Sequence, residues 1–397
     1  MNKSYSPIIV FTYLRLKKLR KIINILKKNK ISKNTEIFFF SDNYVDPSDK
    51  TKIRKVRNYL KSITGFKKKK IICRNKNYGN GKNIIDGVTS ILKKRKQAII
   101  LEDDLIIGKN FLTFMNQCLD AYKNEKKVWH VGAWNYDLKI KSDYDIFFSK
   151  NMNCWGWGTW SDRWKYFEKN PTSLIRYFVN NKKKLPKFNL NNKINYFNQI
   201  LRNNENKIDT WAVFWYAQIF KRNGLCISPI NSLVINNGFD RFSVHIHPKH
   251  FMNVIYKTKI SKKNFFNLPK KIQEYKSFYR EFDEYYNQKI IKKYSSSELL
   301  RDDISKANTP SEIENEITTR LEIYEKPNRD SQSVGKELIG KILASSTSDE
   351  NIISIDSISD SIRELSLTKI SPEDIIEILE ASSLVLRNSN GTWTVFQ

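Results

Sequence analysis

Short apolar runs alternate with amphipathic stretches along the first half of the chain. Ile8, Ile9, Val10 and Phe11 form a run between Pro7 and Tyr13 that reads as a strand buried on both faces. Leu19, Ile22, Ile23 and Leu26 then recur at helical spacing with Lys and Arg opposite, and a second run, Ile37 to Phe40, stops at Ser41-Asp42-Asn43. The pattern repeats. Lys70 to Cys73 predicts a third strand, followed by Asn77-Tyr78-Gly79-Asn80-Gly81-Lys82 and a helix whose apolar face is Ile84, Ile85, Val88, Ile91 and Leu92. Ala98 to Leu101 predicts a fourth, ending at Glu102-Asp103-Asp104 before a helix carrying Phe111, Phe114, Met115 and Leu119. Strands alternating with helices predict an α/β fold with a mostly parallel sheet, in which ligands gather at the carboxyl ends of the strands.

Beyond this, residues 128–170 are rich in Trp and Gly, residues 171–208 read as loop and short helix, Asp209 to Arg222 as helix and Leu225 to Ile235 as strand. From Ser295 onward the composition turns to Ser, Glu, Asp and Ile. The expected division is therefore a nucleotide-binding domain over 1–260, a basic helical extension or linker over 261–297 and an acidic, mainly helical domain over 298–397. The last of these ends in a capped helix, Ser371-Pro372-Glu373-Asp374 before Ile375, Ile376 and Leu379, and a hairpin turning at Asn388 to Gly391. That order suits a winged-helix-like module, but its acidity argues against nucleic acid and favours a protein partner.

The chain of 397 residues carries 70 Lys and Arg against 41 Asp and Glu, a formal net charge of +29 concentrated before residue 297. Such charge suits any polyanion, whether nucleic acid, anionic lipid or nucleotide phosphate. No apolar run approaches the ~18 residues of a bilayer span, and no signal-peptide pattern opens the sequence, so a cytoplasmic location is expected, peripheral at the inner face of the cell membrane. Cys73, Cys118, Cys154 and Cys226 are scattered singly, against a zinc site or a disulfide framework.

Glu102-Asp103-Asp104 is the sharpest chemical signal. Clustered carboxylates repel, and a strand end gives them no packing reason to gather; Mn²⁺ or Mg²⁺ relieves the repulsion and bridges to the phosphates of a nucleotide. The other reading is an acidic N-terminus for the helix that follows.

Several ordered motifs resemble the GT-A fold glycosyltransferases, in particular a bacterial family of lipopolysaccharide and capsule sugar transferases distantly similar to N-acetylglucosaminyltransferase I. They span residues 6–250: Pro7-Ile8-Ile9-Val10-Phe11-Thr12-Tyr13-Leu14-Arg15, Phe40-Ser41-Asp42, Asn77-Tyr78-Gly79, Leu101-Glu102-Asp103-Asp104-Leu105, Trp155-Gly156-Trp157-Gly158-Thr159-Trp160 and Asn237-Gly238-Phe239-Asp240. The resemblance implies metal-dependent, inverting transfer of a hexose or N-acetylhexosamine from a UDP-sugar to a glycan or lipid-linked acceptor. It places Thr12 and Arg15 at the nucleotide, with Arg15 near the diphosphate, and Asp42 at the uracil imide. Gly79 would admit the backbone close to the donor, with Lys82 and Asn83 opening the helix beneath it. Glu102 and Asp103 would lie toward ribose and sugar, Asp104 on the metal, and His245 would complete the metal shell or touch phosphate. Asp209, before Thr210-Trp211, would be the base, its alternative being a plain N-cap. Trp155 and Trp157, with Trp160, suit acceptor sugar faces or equally a core.

The sequence departs from the family pattern at Leu14, where an Asn is usual, at Asn43, where a Gly is usual, and at Arg241-Phe242, where small residues are usual. Two further readings stay open. A basic nucleic-acid-binding protein accounts for the charge and leaves the acidic triplet without a role. A catalytically degenerate transferase serving as a scaffold accounts for Leu14 and Asn43.

Overall fold

The computed structural model describes residues 5–237, 256–295, 343–348, 351–364, 372–381, 385–388 and 391–395. Described residues up to Tyr285 form one compact unit and those from Tyr286 a second. The first unit begins with β1 (Ile8–Thr12), α1 (Leu16–Lys28), β2 (Glu36–Ser41), α2 (Lys50–Ser62), β3 (Lys68–Cys73), α3 (Gly79–Leu92) and β4 (Gln97–Glu102). It continues with β5 (Leu105–Ile107), α4 (Phe111–Ala121), β6 (Val128–Gly132), β7 (Ile146–Ser149), β8 (Trp157–Trp160) and α5 (Ser161–Trp164). Then come α6 (Pro171–Asn180), α7 (Leu185–Phe188), α8 (Tyr196–Asn204), α9 (Ala212–Lys221), β9 (Leu225–Pro229) and β10 (Val234–Asn236), and the first residues of α10 (Phe278–Ser295), a helix that runs across the boundary between the units.

The main sheet has eight strands among the described residues, in the order β3-β2-β1-β4-β8-β6-β9-β7. β1 to β4 are mutually parallel and β6 is parallel to β9, whereas β8 runs against β4 and β6, and β7 against β9. The α/β fold expected from the alternating runs is therefore present. Because β1, β2 and β4 are covered on both faces, all of Ile8–Phe11, Ile37–Phe40 and Ala98–Leu101 are buried. Alternate residues feed opposite layers: Ile8, Val10, Ile37 and Phe39 join the α1, α2 and α4 side, while Ile9, Phe11, Phe38 and Phe40 join the α3 and α9 side.

The tryptophans of the 155–160 segment divide on the same principle. Trp157 is 0 % exposed, with its ring against His130 (5.4 Å) and Trp211 (5.1 Å), and Trp160 is buried with its indole donating to the Leu119 carbonyl at 3.0 Å. The acceptor role expected for Trp157 is thereby corrected: its β8 neighbours turn it into the core, out of reach of any sugar. Trp155 keeps partial exposure.

Residues 261–277, expected to start a helical extension or linker, pack as irregular chain, with Phe266, Leu268 and Ile272 on the first unit's core; the helix begins only at Phe278. The second unit contains β11 (Ile352–Ile353), α11 (Ile355–Glu364), α12 (Pro372–Ala381), β12 (Val385–Arg387) and β13 (Trp393–Val395), the strands antiparallel in the order β11-β13-β12. Ile358, Ile362, Ile376, Leu379 and Trp393 build its small core. The helix and hairpin expected there are present. No helix of the described residues is long and apolar enough to cross a membrane.

His130 on β6 is fully buried and its protonation state follows from its partners. The Asn153 carbonyl can only accept, so Nε2 donates to it at 2.9 Å; the Trp215 indole can only donate, so Nδ1 accepts at 3.3 Å. Burial holds the ring neutral and pushes its pKa down to about 4, below the 6.5 of the free side chain. A depressed folded pKa means stability is complete above 6.5 and lost as pH falls toward 4. Urea denaturation should show a loss of about 2 kcal/mol between about pH 7.5 and about pH 5, attenuated in His130→Gln, which keeps a donor and an acceptor. An equal acid loss in both proteins would exclude His130 as the cause.

Candidate active site

Parallel pairing brings the carboxyl ends of β1, β2 and β4 to one edge. Thr12 is registered with Ser41, and Phe11 with Glu102, so Thr12-Tyr13, Asp42 and Glu102-Asp103-Asp104 emerge side by side. Arg15, just ahead of α1, reaches across to the triplet: its Nη1 lies 2.6 Å from Asp104 Oδ2 and 3.9 Å from Asp103 Oδ1. The Tyr13 backbone N–H donates to Asp103 Oδ2 at 2.9 Å, and Asn80 Nδ2 donates to Glu102 Oε2 at 3.3 Å.

These donors do not fully offset the crowding. Burial, then the neighbouring Asp104 charge, pushes Glu102 up to about 8 and Asp103 up to about 6. The Tyr13 N–H, Arg15 and the Thr12 hydroxyl pull Asp103 the other way. Cys154, beside β4 because β8 pairs with it, has its thiol pushed up to about 12 by burial and by Glu102. The triplet is crowded and already paired with Arg15, and it is not a helix cap: α4 begins only at Phe111. Its hard oxygens fit Mg²⁺ or Mn²⁺, although no group of three His, Cys, Asp or Glu side chains suited to a metal exists among the described residues. A cation there would complete its shell with phosphate and water. His245, with Gly238, Phe239, Asp240, Arg241 and Phe242, lies outside the described residues. Asn237 does not, and its N–H donates to the Asp104 carbonyl at 3.0 Å, so that segment starts beside the triplet.

Asp42 is buried, and its Oδ1 accepts from the N–H groups of Asn43 and Tyr78, both at 2.8 Å. Burial raises its pKa against those hydrogen bonds. The carboxylate thus ties the end of β2 to the turn before α3, a structural task the sequence alone does not reveal. Asn43 joins the same knot: its side chain donates to the Asn75 carbonyl at 2.8 Å, and its own carbonyl accepts from Asn77 at 2.5 Å.

α3 starts at Gly79, whose φ of +71° suits glycine alone. Gly81 has a different reason: a Cβ there would lie 3.0 Å from the Asp209 carbonyl and 3.2 Å from its Oδ1. Asp209 therefore sits against the first turn of α3, where unpaired N–H groups favour an anion. It caps no helix of its own, since α9 begins at Ala212 with Trp211 before it. Its side chain is 59 % exposed and paired with Lys169, a partner that no local sequence signal identifies. Lys82 and Asp209, with Ile85, Asp86, Thr89 and Lys169, line a cleft of about 460 Å³ whose walls exclude the acidic triplet. Asn83 is corrected to a bracing role: it is buried and its Oδ1 accepts from Arg74 Nε at 2.9 Å, so it cannot face a ligand.

No family model and no characterised protein matches the sequence. Among solved structures, the chain is similar to the mannosyltransferase PcManGT of Pyrobaculum calidifontis in complex with GDP-Man and Mn²⁺, at 9 % identity and a TM-score of 0.39, over 96 % of this chain and 87 % of that one. It is also similar to S. aureus TarS 1–349, at 13 % identity and a TM-score of 0.32, over 96 % and 90 %. Likenesses this loose say nothing about chemistry.

Replacing Asp42 by Ala would strand the Asn43 and Tyr78 N–H groups and should cost about 1–3 kcal/mol. Asp42→Asn keeps an acceptor and should cost far less. Urea midpoints compare the two; equal losses would exclude the carboxylate as the tie between β2 and α3.

Proposed function

We propose that the first unit is a metal-dependent glycosyltransferase of GT-A type that moves a hexose or N-acetylhexosamine from a UDP-sugar to a surface-glycan or lipid-linked acceptor, with inversion. The observation that supports it most is the meeting of Arg15, Asp42, the Gly79 turn and the Glu102-Asp103-Asp104 triplet at one edge of the parallel sheet. A nucleic-acid surface would leave that triplet repelling its ligand.

In this reading Asp104 would hold a divalent cation, which when bound would supply positive charge to the departing diphosphate. Arg15 turns from Asp104 to the phosphate oxygens as the donor enters, since a guanidinium offers paired donors to either. Asp42 presents its remaining acceptor capacity to the uracil imide, while Thr12, Glu102 and Asp103 line the ribose and sugar. Asp209 takes the proton of the acceptor hydroxyl as that oxygen attacks the anomeric carbon, and the bond to the nucleotide breaks with its electrons leaving on the diphosphate. Lys169 holds the Asp209 carboxylate in the cleft, which receives the acceptor and is lined also by Lys82; partly exposed Trp155 keeps its expected role of meeting an acceptor sugar face.

Asp209→Asn should lower kcat by roughly 10²–10⁴-fold with donor affinity retained. Asp104→Ala should abolish Mn²⁺-stimulated turnover and weaken UDP binding. UDP release from a panel of UDP-sugars, with nucleotide binding followed by calorimetry, measures both. Wild-type protein that neither binds UDP-sugars nor releases UDP with Mn²⁺ present overturns the proposal.

A further inference from the structure

The segment from Asn264 to Asn267 presents two adjacent phenylalanines in opposite directions. Phe266 is buried with its ring edge-on to Phe114 at 5.0 Å, and its carbonyl accepts from Gln117 Nε2 at 2.8 Å. Phe265 points outward and is 84 % exposed, the most exposed large hydrophobic side chain among the described residues. The core has no use for this ring, and a single exposed ring gains its meaning only from the charges gathered on the same face.

Its surroundings say which partner. Asn110 Nδ2 donates to the Lys263 carbonyl at 2.8 Å and to Asn264 Oδ1 at 2.6 Å, holding this segment against the start of α4. Asn29 Nδ2 donates to the Lys109 carbonyl at 3.0 Å, holding the end of α1 against the same place. The two links bring the end of α1, the start of α4 and the 262–265 segment onto one face, on which Lys28, Lys30, Lys109 and Lys262 are exposed and Lys263 pairs with Asp145. On the opposite flank the Asn267 N–H donates to Asp145 Oδ2 at 2.6 Å, and Asp145 also pairs with Lys263 at 2.6 Å. Exposed Tyr144 stands next to Asp145 in the chain. Asp143 and Asp145 are the acids on this flank, and one of them is already paired.

We infer that this face docks on an anionic lipid bilayer, with Phe265 entering the headgroup boundary and the lysines around it meeting acidic headgroups. An exposed aromatic ringed by long, flexible cations matches that interface twice, because the ring gains apolar contact while the lysine stems reach up to the charge. A nucleic-acid duplex would meet the same lysines but offers no apolar layer to a lone protruding ring. α1 separates this patch from Arg15 by its thirteen residues, roughly 20 Å at 1.5 Å per residue, so the docked face leaves the candidate active site uncovered. The inference does not depend on the proposed transferase activity, and binding tests it alone.

Full-length protein is floated with vesicles of phosphatidylcholine alone or mixed with phosphatidylglycerol, at low and high salt. Wild-type protein should float only with the mixed vesicles and dissociate as salt rises. Phe265→Ser should weaken binding about tenfold, and Lys109→Glu with Lys262→Glu more than tenfold, each with an unchanged urea midpoint because the side chains are exposed and lie outside helix C-terminal turns. Equal flotation with neutral vesicles, or wild-type flotation by Phe265→Ser, overturns the inference. So does duplex DNA binding that needs the lysines but not Phe265, without flotation.

Discussion

The repulsion among Glu102, Asp103 and Asp104 organises the candidate site. Three carboxyl groups at the end of a buried strand lose hydration and face one another, and two of them are held far above the usual carboxylate range. Leaving them so would destabilise the fold. Arg15, the Tyr13 N–H and Asn80 supply partial compensation, each from a different neighbouring element. In the proposed reading, that same crowding is what a bound cation would relieve.

The sheet supplies the positions without fine tuning. Once β1, β2 and β4 are parallel and in register, their carboxyl ends cannot be elsewhere than side by side. What remains is to fix the loops. Asp42 does this for the turn before α3 through two backbone N–H groups, and Arg57 does it for the ends of β2 and β3, donating to the Asp42 carbonyl at 3.3 Å and the Arg74 carbonyl at 2.8 Å. Asn43, unusual for the family that the sequence resembles, is absorbed by the same network. Its side chain does for the turn what a smaller residue would leave to the backbone.

Much of this was legible in the sequence because hydrophobic runs report burial directly. The strands β1 to β4, the apolar faces of α1, α3 and α4, and the acidic triplet all followed from local spacing. Long-range facts were not legible. That Lys169 meets Asp209 across 40 residues, that Trp157 faces His130 while Trp155 stays partly exposed, and that Asn83 braces Arg74 depend on which elements pack together. In the stretch expected from residue 261 as a basic helical extension or linker, only Phe278–Ser295 is helical, and Phe266, Leu268 and Ile272 pin the irregular chain before it to the core.

Asp209 shows how packing can assign meaning to a residue that sequence leaves ambiguous. An aspartate before a helix is ordinarily a cap, yet Asp209 packs beside the first turn of α3, distant in sequence, and does not cap the α9 that follows it. Gly81 makes that possible, since any larger residue would push the Asp209 backbone away. The glycines of the Gly79-Asn80-Gly81 turn therefore have separate tasks: the first bends the chain, and the second opens room for a carboxylate. With Asn80 between them reaching Glu102, one three-residue turn touches both the acidic triplet and Asp209. A displacement of that turn would be felt at the acidic triplet and at Asp209 together.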